Sequence, residues 1–292
     1  MVCDYIMNYF LILATLGALT FAKVPDYYGK YSTATETFEI GGMTTGGSQD
    51  ALITYPHDTK DTGFPVVVFA HGMTGGGWKL YFGYNELLRT IASHGYVVVS
   101  PKACPDVWCE NWALDIATAI ERIYANHDLA KQLELADFTK LAIVGHSMGG
   151  DAVVRVSTMS DIYSKFPLIA TVAFNPAVFY DKQAKSADIK VPVFFITGTK
   201  DTTVSPQSVV KAFEEDETMD KIIANVVGDP HKECTIEGSR HMNSYAAWYL
   251  DCKVKGISDA CDLFYDDKNP DYLCNNGIYT YDQCEVKMNS DI

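Results

Sequence analysis

The sequence predicts a doubly wound α/β fold, a mostly parallel sheet flanked by helices, without a separate lid domain. Two observations predict it. Several apolar runs rich in Val and Ile, such as Pro65–Ala70 (PVVVFA) and Tyr96–Ser100 (YVVVS), lack in/out alternation. Strands covered on both faces have that pattern. Between the runs lie segments whose apolar residues recur at helical spacing, and alternating strand and helix leads to helices on both faces of a parallel sheet.

The elements are read in chain order. Residues 1–22 stand apart: Tyr9–Phe21 is almost wholly apolar and is followed by Ala22-Lys23. That run is too short to span a bilayer comfortably and fits the apolar stretch of a signal peptide, with Thr20 and Ala22 as small residues at a cleavage site. The residues before it carry Asp4 and no Lys or Arg, which leaves a retained anchor as the alternative. Thr37–Ile40 and Ala51–Thr54 read as short strands. The buried runs continue with Leu141–Val144, Leu168–Phe174, Val191–Thr197 and Lys221–Val227. Leu87, Leu88, Ile91 and Ala92 give one helical face, and Trp112, Ile116, Ala119, Ile120 and Ile123 give a second. Gly150–Met159 reads as a short helix. The stretch 175–190 is too short to hold a lid. Residues 23–251 therefore form one catalytic-size domain. Residues 252–292, polar and Cys-rich, read as a disulfide-tied extension packed on it.

The 292 residues carry a formal net charge of −14, which repels nucleic acid and anionic lipid and favours solubility. Eight cysteines are present, seven if the leader is removed with Cys3. Four of them, Cys252, Cys261, Cys274 and Cys284, crowd the C-terminal segment. None stands in a CxxC pair or a zinc-spaced cluster, so disulfides are the better reading beside a secretory leader. Cys104 and Cys109 are close enough to staple a loop; the other pairings are not legible. No Asn-x-Ser/Thr sequon occurs.

The chemistry centres on Gly145-His146-Ser147-Met148-Gly149, a G-x-S-x-G pattern between a strand-like and a helix-like run. A sharp turn there lifts the serine onto an exposed elbow, and the flanking glycines avoid clashes with neighbouring backbone. A serine hydroxyl needs a base. His241, late in the chain and ahead of the final helix, is the expected base, with His231 as its competitor. Asp201, just past a buried strand, is the expected acid that orients the imidazole, with Asp229 as the alternative. The order Ser147, Asp201, His241 is that of α/β-hydrolases. Backbone amides of Met73 and Met148 are the expected oxyanion donors. Thr74, Trp78 and Phe174 are expected to line the substrate pocket.

These motifs resemble the lidless branch of the α/β-hydrolases that holds cutinase-like polyester hydrolases, chlorophyllases and dienelactone-hydrolase-type esterases. The residues that carry the resemblance are HGMTGGGW (71–78), ASHGYVVVSP (92–101), GHSMGG (145–150), ITGTKD (196–201) and SRH (239–241). The resemblance implies the α/β-hydrolase fold, ester cleavage through an acyl-enzyme, no metal or cofactor, and Met73 as an oxyanion donor. The polyester hydrolases carry an aromatic where Met73 stands and a Trp where this chain has Phe174-Asn175-Pro176, which sets the chain apart from them. The expected activity is a secreted serine hydrolase of carboxylic esters, with an open cleft suited to bulky or polymeric substrates. It has no nucleic-acid partner and no stable membrane insertion once the leader is gone. Thioesterase, lipid deacylase or acyltransferase chemistry on the same residues, or a non-catalytic binding role, are the alternatives.

Overall fold

The computed structural model describes residues 28–43, 49–73, 83–102, 112–178, 186–218 and 220–288. The leader 1–22 and the pair Cys104 and Cys109 lie outside the described residues.

Among the described residues, nine strands form one sheet in the order β1-β2-β4-β3-β5-β6-β7-β8-β9. In chain order they are β1 (Ser32–Glu39), β2 (Asp50–His57), β3 (Phe64–Ala70), β4 (Val97–Pro101), β5 (Ala136–His146), β6 (Leu168–Phe174), β7 (Val193–Lys200), β8 (Lys221–Pro230) and β9 (Tyr281–Lys287). The central pairs, from β4–β3 through β7–β8, are parallel. The outer pairs β1–β2, β2–β4 and β8–β9 are antiparallel. A mostly parallel sheet in this order, wrapped by helices, is an α/β-hydrolase fold.

The α-helices among the described residues are α1 (Asn85–Ser93), α2 (Trp112–Ala125), α3 (Met148–Val156), α4 (Ser160–Tyr163), α5 (Pro206–Glu215), α6 (His241–Lys255) and α7 (Ser258–Tyr265). They divide into two layers because the strand residues point alternately to opposite faces. Val66 and Val68 of β3 face a core filled by Ile116, Ile120 and Ile123 of α2, Val153 of α3 and Phe213 of α5. Val67 and Phe69 face the other core, made by Leu87 and Ile91 of α1, Tyr245 and Tyr249 of α6 and Phe264 of α7. All seven residues of β3 are buried, as a strand covered on both sides requires.

The C-terminal extension does more than dock on the domain. Cys252–Cys261 ties α6 to α7, and Cys274–Cys284 ties the following turn to β9. Closing loops of this size stabilises the fold by roughly 3 kcal/mol each through the unfolded chain. β9 then adds the ninth strand, pairing Lys287 to Tyr281 along Lys221 to Val226 of β8. The sequence reading of 252–292 as a disulfide-tied extension did not include this strand. β9 (YDQCEVK) is half-exposed at the sheet edge and so carries no apolar run that would announce it.

Candidate active site

Ser147 follows the last residue of β5 and caps α3. Its φ of 58° and ψ of −119° lie in a region that side chains rarely adopt, the strain expected of a nucleophile elbow. Neighbouring backbone over-determines that conformation. The Ser147 amide donates to the Phe174 carbonyl at 2.9 Å, and the Ser147 carbonyl accepts from Asp151 and Ala177, each at 3.0 Å. The glycines on either side are sterically compelled. A Cβ on Gly145 would lie 2.2 Å from the Gly149 carbonyl oxygen, and one on Gly149 would lie 2.2 Å from that of Ala70. Strand β3, strand β5 and helix α3 thus meet at backbone contact distance, and Ser147 is held above them.

The residue that meets Ser147 is His231. Its Nε2 lies 2.9 Å from Ser147 Oγ, and its Nδ1 lies 2.8 Å from Asp201 Oδ2. The sheet register explains the meeting. Lys200 of β7 pairs with Pro230 of β8, so Asp201 and His231 are the next residues off two neighbouring strand ends. The expectation that His241 is the base is corrected. His241 opens α6 ten residues further on, its side chain is 44% exposed, and its Nδ1 lies 3.5 Å from Asp229 Oδ1. Its ring stacks on Tyr279. Asp229, the alternative acid, also accepts from Ser239 Oγ at 2.9 Å. The signal that points to His231 is its position directly after a buried parallel strand, the same signal that points to Asp201.

Asp201 is surrounded by donors. The Thr203 and Val204 amides bind Oδ1 at 2.8 Å each, while Asn175 Nδ2 and His231 Nδ1 share Oδ2 at 2.9 and 2.8 Å. Burial works against its charge, but the His231 hydrogen bond and the two amides outweigh burial and hold the carboxyl below its usual range. With Asp201 ionised, the Nδ1 proton stays on His231 and Nε2 is free to accept from Ser147. Asn175, fully buried with φ 43° at the end of β6, is a site residue with no motif to announce it.

His146 is buried between Tyr84 and the turn after β8. Its Nδ1 lies 2.8 Å from Tyr84 Oη, and its Nε2 lies 2.8 Å from the His231 carbonyl oxygen. Burial and the neighbouring His231 pull its pKa down to about 3, so the ring is neutral at ordinary pH. Tyr84 Oη in turn accepts the Gly72 amide at 2.9 Å.

Met148 is the first residue of α3, so its amide is among those left without a carbonyl inside the helix, at the positive end of the helix dipole. Met73 is 46% exposed at the end of the described part of its loop. Thr74 and Trp78 lie outside the described residues. Phe174 does not line a pocket. Its side chain is 0% exposed and belongs to the core beneath α6, because β6 turns that residue toward the helix layer rather than the rim. A cavity of about 590 Å³ opens beside Asp201, lined by Thr199, Thr203, Ser205, Asn225 and Asp282 among others. Neither Ser147 nor His231 lines it, so it is not where a carbonyl would meet the serine. No cluster of three or more His, Cys, Asp or Glu placed to hold a metal occurs among the described residues.

A hydroxyl, an imidazole and a carboxylate in hydrogen-bonded series, with helix-terminal amides beside the hydroxyl, can generate a nucleophile and stabilise an oxyanion. Comparison with known proteins identifies the relatives that share this fold. The sequence model of the family described as Chlorophyllase matches residues 24–193, more than half of the chain. Chlorophyllase-2 of Arabidopsis thaliana is 26% identical over 248 residues, which cover 77% of this chain and 70% of that protein. Chlorophyllase type 0 of Chenopodium album is 33% identical over 169 residues, 53% of this chain and 46% of that protein. The family match contains Ser147 and the 71–78 loop and ends before Asp201 and His231. The chain belongs to the chlorophyllase family, ester hydrolases of the α/β-hydrolase fold.

Proposed function

We propose that this protein is a secreted serine hydrolase of carboxylic esters in which Ser147, His231 and Asp201 act as the catalytic triad. The observation that carries the reading is the unbroken series Ser147 Oγ, His231 Nε2, His231 Nδ1, Asp201 Oδ2, with contacts of 2.9 and 2.8 Å.

Ser147 Oγ attacks the ester carbonyl carbon as its proton passes to His231 Nε2. Asp201 stabilises the imidazolium and keeps it aligned. The amides of Met148 and Met73 receive the negative oxygen of the tetrahedral intermediate; one such donor is worth about 3 kcal/mol of barrier in comparable sites. The intermediate collapses as His231 gives its proton to the leaving alcohol. Water, deprotonated by His231, then attacks the acyl-Ser147 ester, and Ser147 recovers its proton as the acid leaves. The name that the relatives carry makes chlorophyll one of the substrates to try first. Secretion is supported by the two disulfides among the described residues and by the leader-like segment 1–22. No helix among the described residues is long and apolar enough to cross a membrane.

The test is an ester panel of graded acyl and alcohol size, chlorophyll included, run beside labelling with a fluorophosphonate probe. Wild type is expected to hydrolyse at least one class and to be labelled at Ser147. Ser147→Ala is expected to lose both. Undiminished hydrolysis by pure Ser147→Ala protein would overturn the mechanism. Transfer of the acyl group to added alcohol in preference to water would move the protein to the acyltransferases.

A further inference from the structure

We propose that Tyr84 and His146 are positioning residues for the reaction, joining the 71–73 loop to the backbone of His231 through one buried hydrogen-bond chain. This rests on the assignment of Ser147 and His231 made above.

The chain has four members: the Gly72 amide, Tyr84 Oη, the His146 ring and the His231 carbonyl, with contacts of 2.9, 2.8 and 2.8 Å. Its proton arrangement is determined by what each group can do. The His231 carbonyl only accepts, so His146 Nε2 carries the hydrogen. The ring is neutral, so Nδ1 is an acceptor and Tyr84 must donate to it. Tyr84 Oη then accepts from Gly72. No member has a second consistent role. Tyr84, His146 and Gly72 are all buried, and such a chain resists being broken because each freed group would be left unpaired away from water.

Burial keeps the Tyr84 phenol protonated, and burial together with the charge that His231 takes up during turnover keeps His146 neutral. The chain therefore persists when the base is protonated. A charged His146 would have no lone pair for Tyr84.

Geometry says what the chain positions. His231 is held at its ring by Asp201 and at its carbonyl by His146, and His146 is also the residue before Ser147. At the other end, a Cβ on Gly72 would lie 2.9 Å from Tyr84 Oη, 3.0 Å from His146 Nδ1 and 3.1 Å from Ser147 Cβ. The loop that leads to Met73 thus rests directly on both the chain and the nucleophile. Tyr84 is fixed for its part by packing on Phe69 of β3, with ring centroids 4.9 Å apart. Base, elbow and oxyanion loop move as one unit while the chain is intact.

The experiment compares Tyr84→Phe, His146→Leu, His146→Gln and the Tyr84→Phe/His146→Leu double variant, reading kcat, KM, the rate of fluorophosphonate labelling and thermal unfolding. A displacement of reacting groups by a fraction of an ångström is expected to cost Tyr84→Phe about 30-fold in kcat, with KM within about threefold. The labelling rate should fall by the same factor while the protein stays folded. His146→Gln, which keeps an N–H for the carbonyl and an oxygen for the phenol, should recover most of the activity that His146→Leu loses. The double variant should be no worse than His146→Leu alone, because either change severs the same chain. The proposal is overturned if Tyr84→Phe turns over and labels like wild type, if the two losses multiply, or if the loss lies in KM alone. In each of those cases an inactive Ser147→Ala protein leaves the assignment of the site standing. An active Ser147→Ala protein would remove both.

Discussion

Asp201 and His231 stand side by side because Lys200 and Pro230, the residues before them, are paired across β7 and β8. The 2.8 Å contact between their side chains is thus set by strand register rather than by a flexible loop. A one-residue slip of β8 would move the imidazole to the other face of the sheet.

That register makes His231, just after β8, and His241, at the start of α6, separable by experiment. His231→Ala is expected to lower kcat for ester hydrolysis by about 10⁴-fold or more. His241→Ala, which changes a half-exposed ring near Asp229, is expected to stay within about threefold of wild type in kcat/KM. Steady-state kinetics on one chromogenic ester decides between them, and the reverse pattern would return the base to His241.

The acid and its supports should differ in degree. Asp201→Asn is expected to cost about 10⁴-fold in kcat, because the tautomer of His231 is no longer imposed. Asn175→Ala removes one of the donors to Asp201 Oδ2, leaving the carboxylate less stabilised and its pKa higher. Its activity should fall by about tenfold, the size expected for loss of one hydrogen bond to a charged group. The acidic limb of its kcat–pH profile should move to higher pH.

Gly149→Ala tests the elbow. The new methyl would lie 2.2 Å from the Ala70 carbonyl oxygen and 2.5 Å from that of His71, and neither backbone atom can rotate away. The variant is expected to lose about 3 kcal/mol of stability, measured by urea unfolding. Wild-type stability would show that α3 can shift away from β3 without penalty.

Glu233 predicts a pH dependence of folding. It is fully buried two residues after His231, and burial pushes its pKa up to about 8, against the help of the Met242 amide on Oε1 at 2.8 Å. An acid whose folded pKa is raised binds more protons in the native state, so stability falls as pH climbs from its unfolded value toward 8. Glu233→Gln should therefore melt higher than wild type at pH 8 by about 3 °C or more, with the difference shrinking toward pH 5. Melting curves at the two pH values check it; an equal difference at both would place the carboxylate in its ordinary range.

What was legible in the sequence followed from local causes. The buried strands β3 to β8 show themselves as Val- and Ile-rich runs because both their faces are covered. Ser147 and Asp201 show themselves because each directly follows such a run. His241 reads as the base because it lies late in the chain and ahead of the final helix, whereas the pairing of Lys200 with Pro230, which brings His231 to Asp201, is a long-range fact. Phe174 reads as a possible pocket residue until the pleat direction of β6 is known. Asn175, Tyr84 and the role of His146 depend on contacts between residues 26 to 85 positions apart, which no local pattern encodes. β9 is polar on both sides because it sits at an edge, so its composition resembles a loop.

The last strand has one more consequence. Without β9, the main-chain donors and acceptors of β8 along Lys221–Val226 would face water as an open ribbon edge. Such a ribbon templates pairing with another molecule. Because the Cys274–Cys284 bond tethers the strand that covers it, colloidal behaviour is expected to follow the redox state of the surroundings. Thiol reduction should promote clumping of the protein before it disturbs the hydrolytic centre.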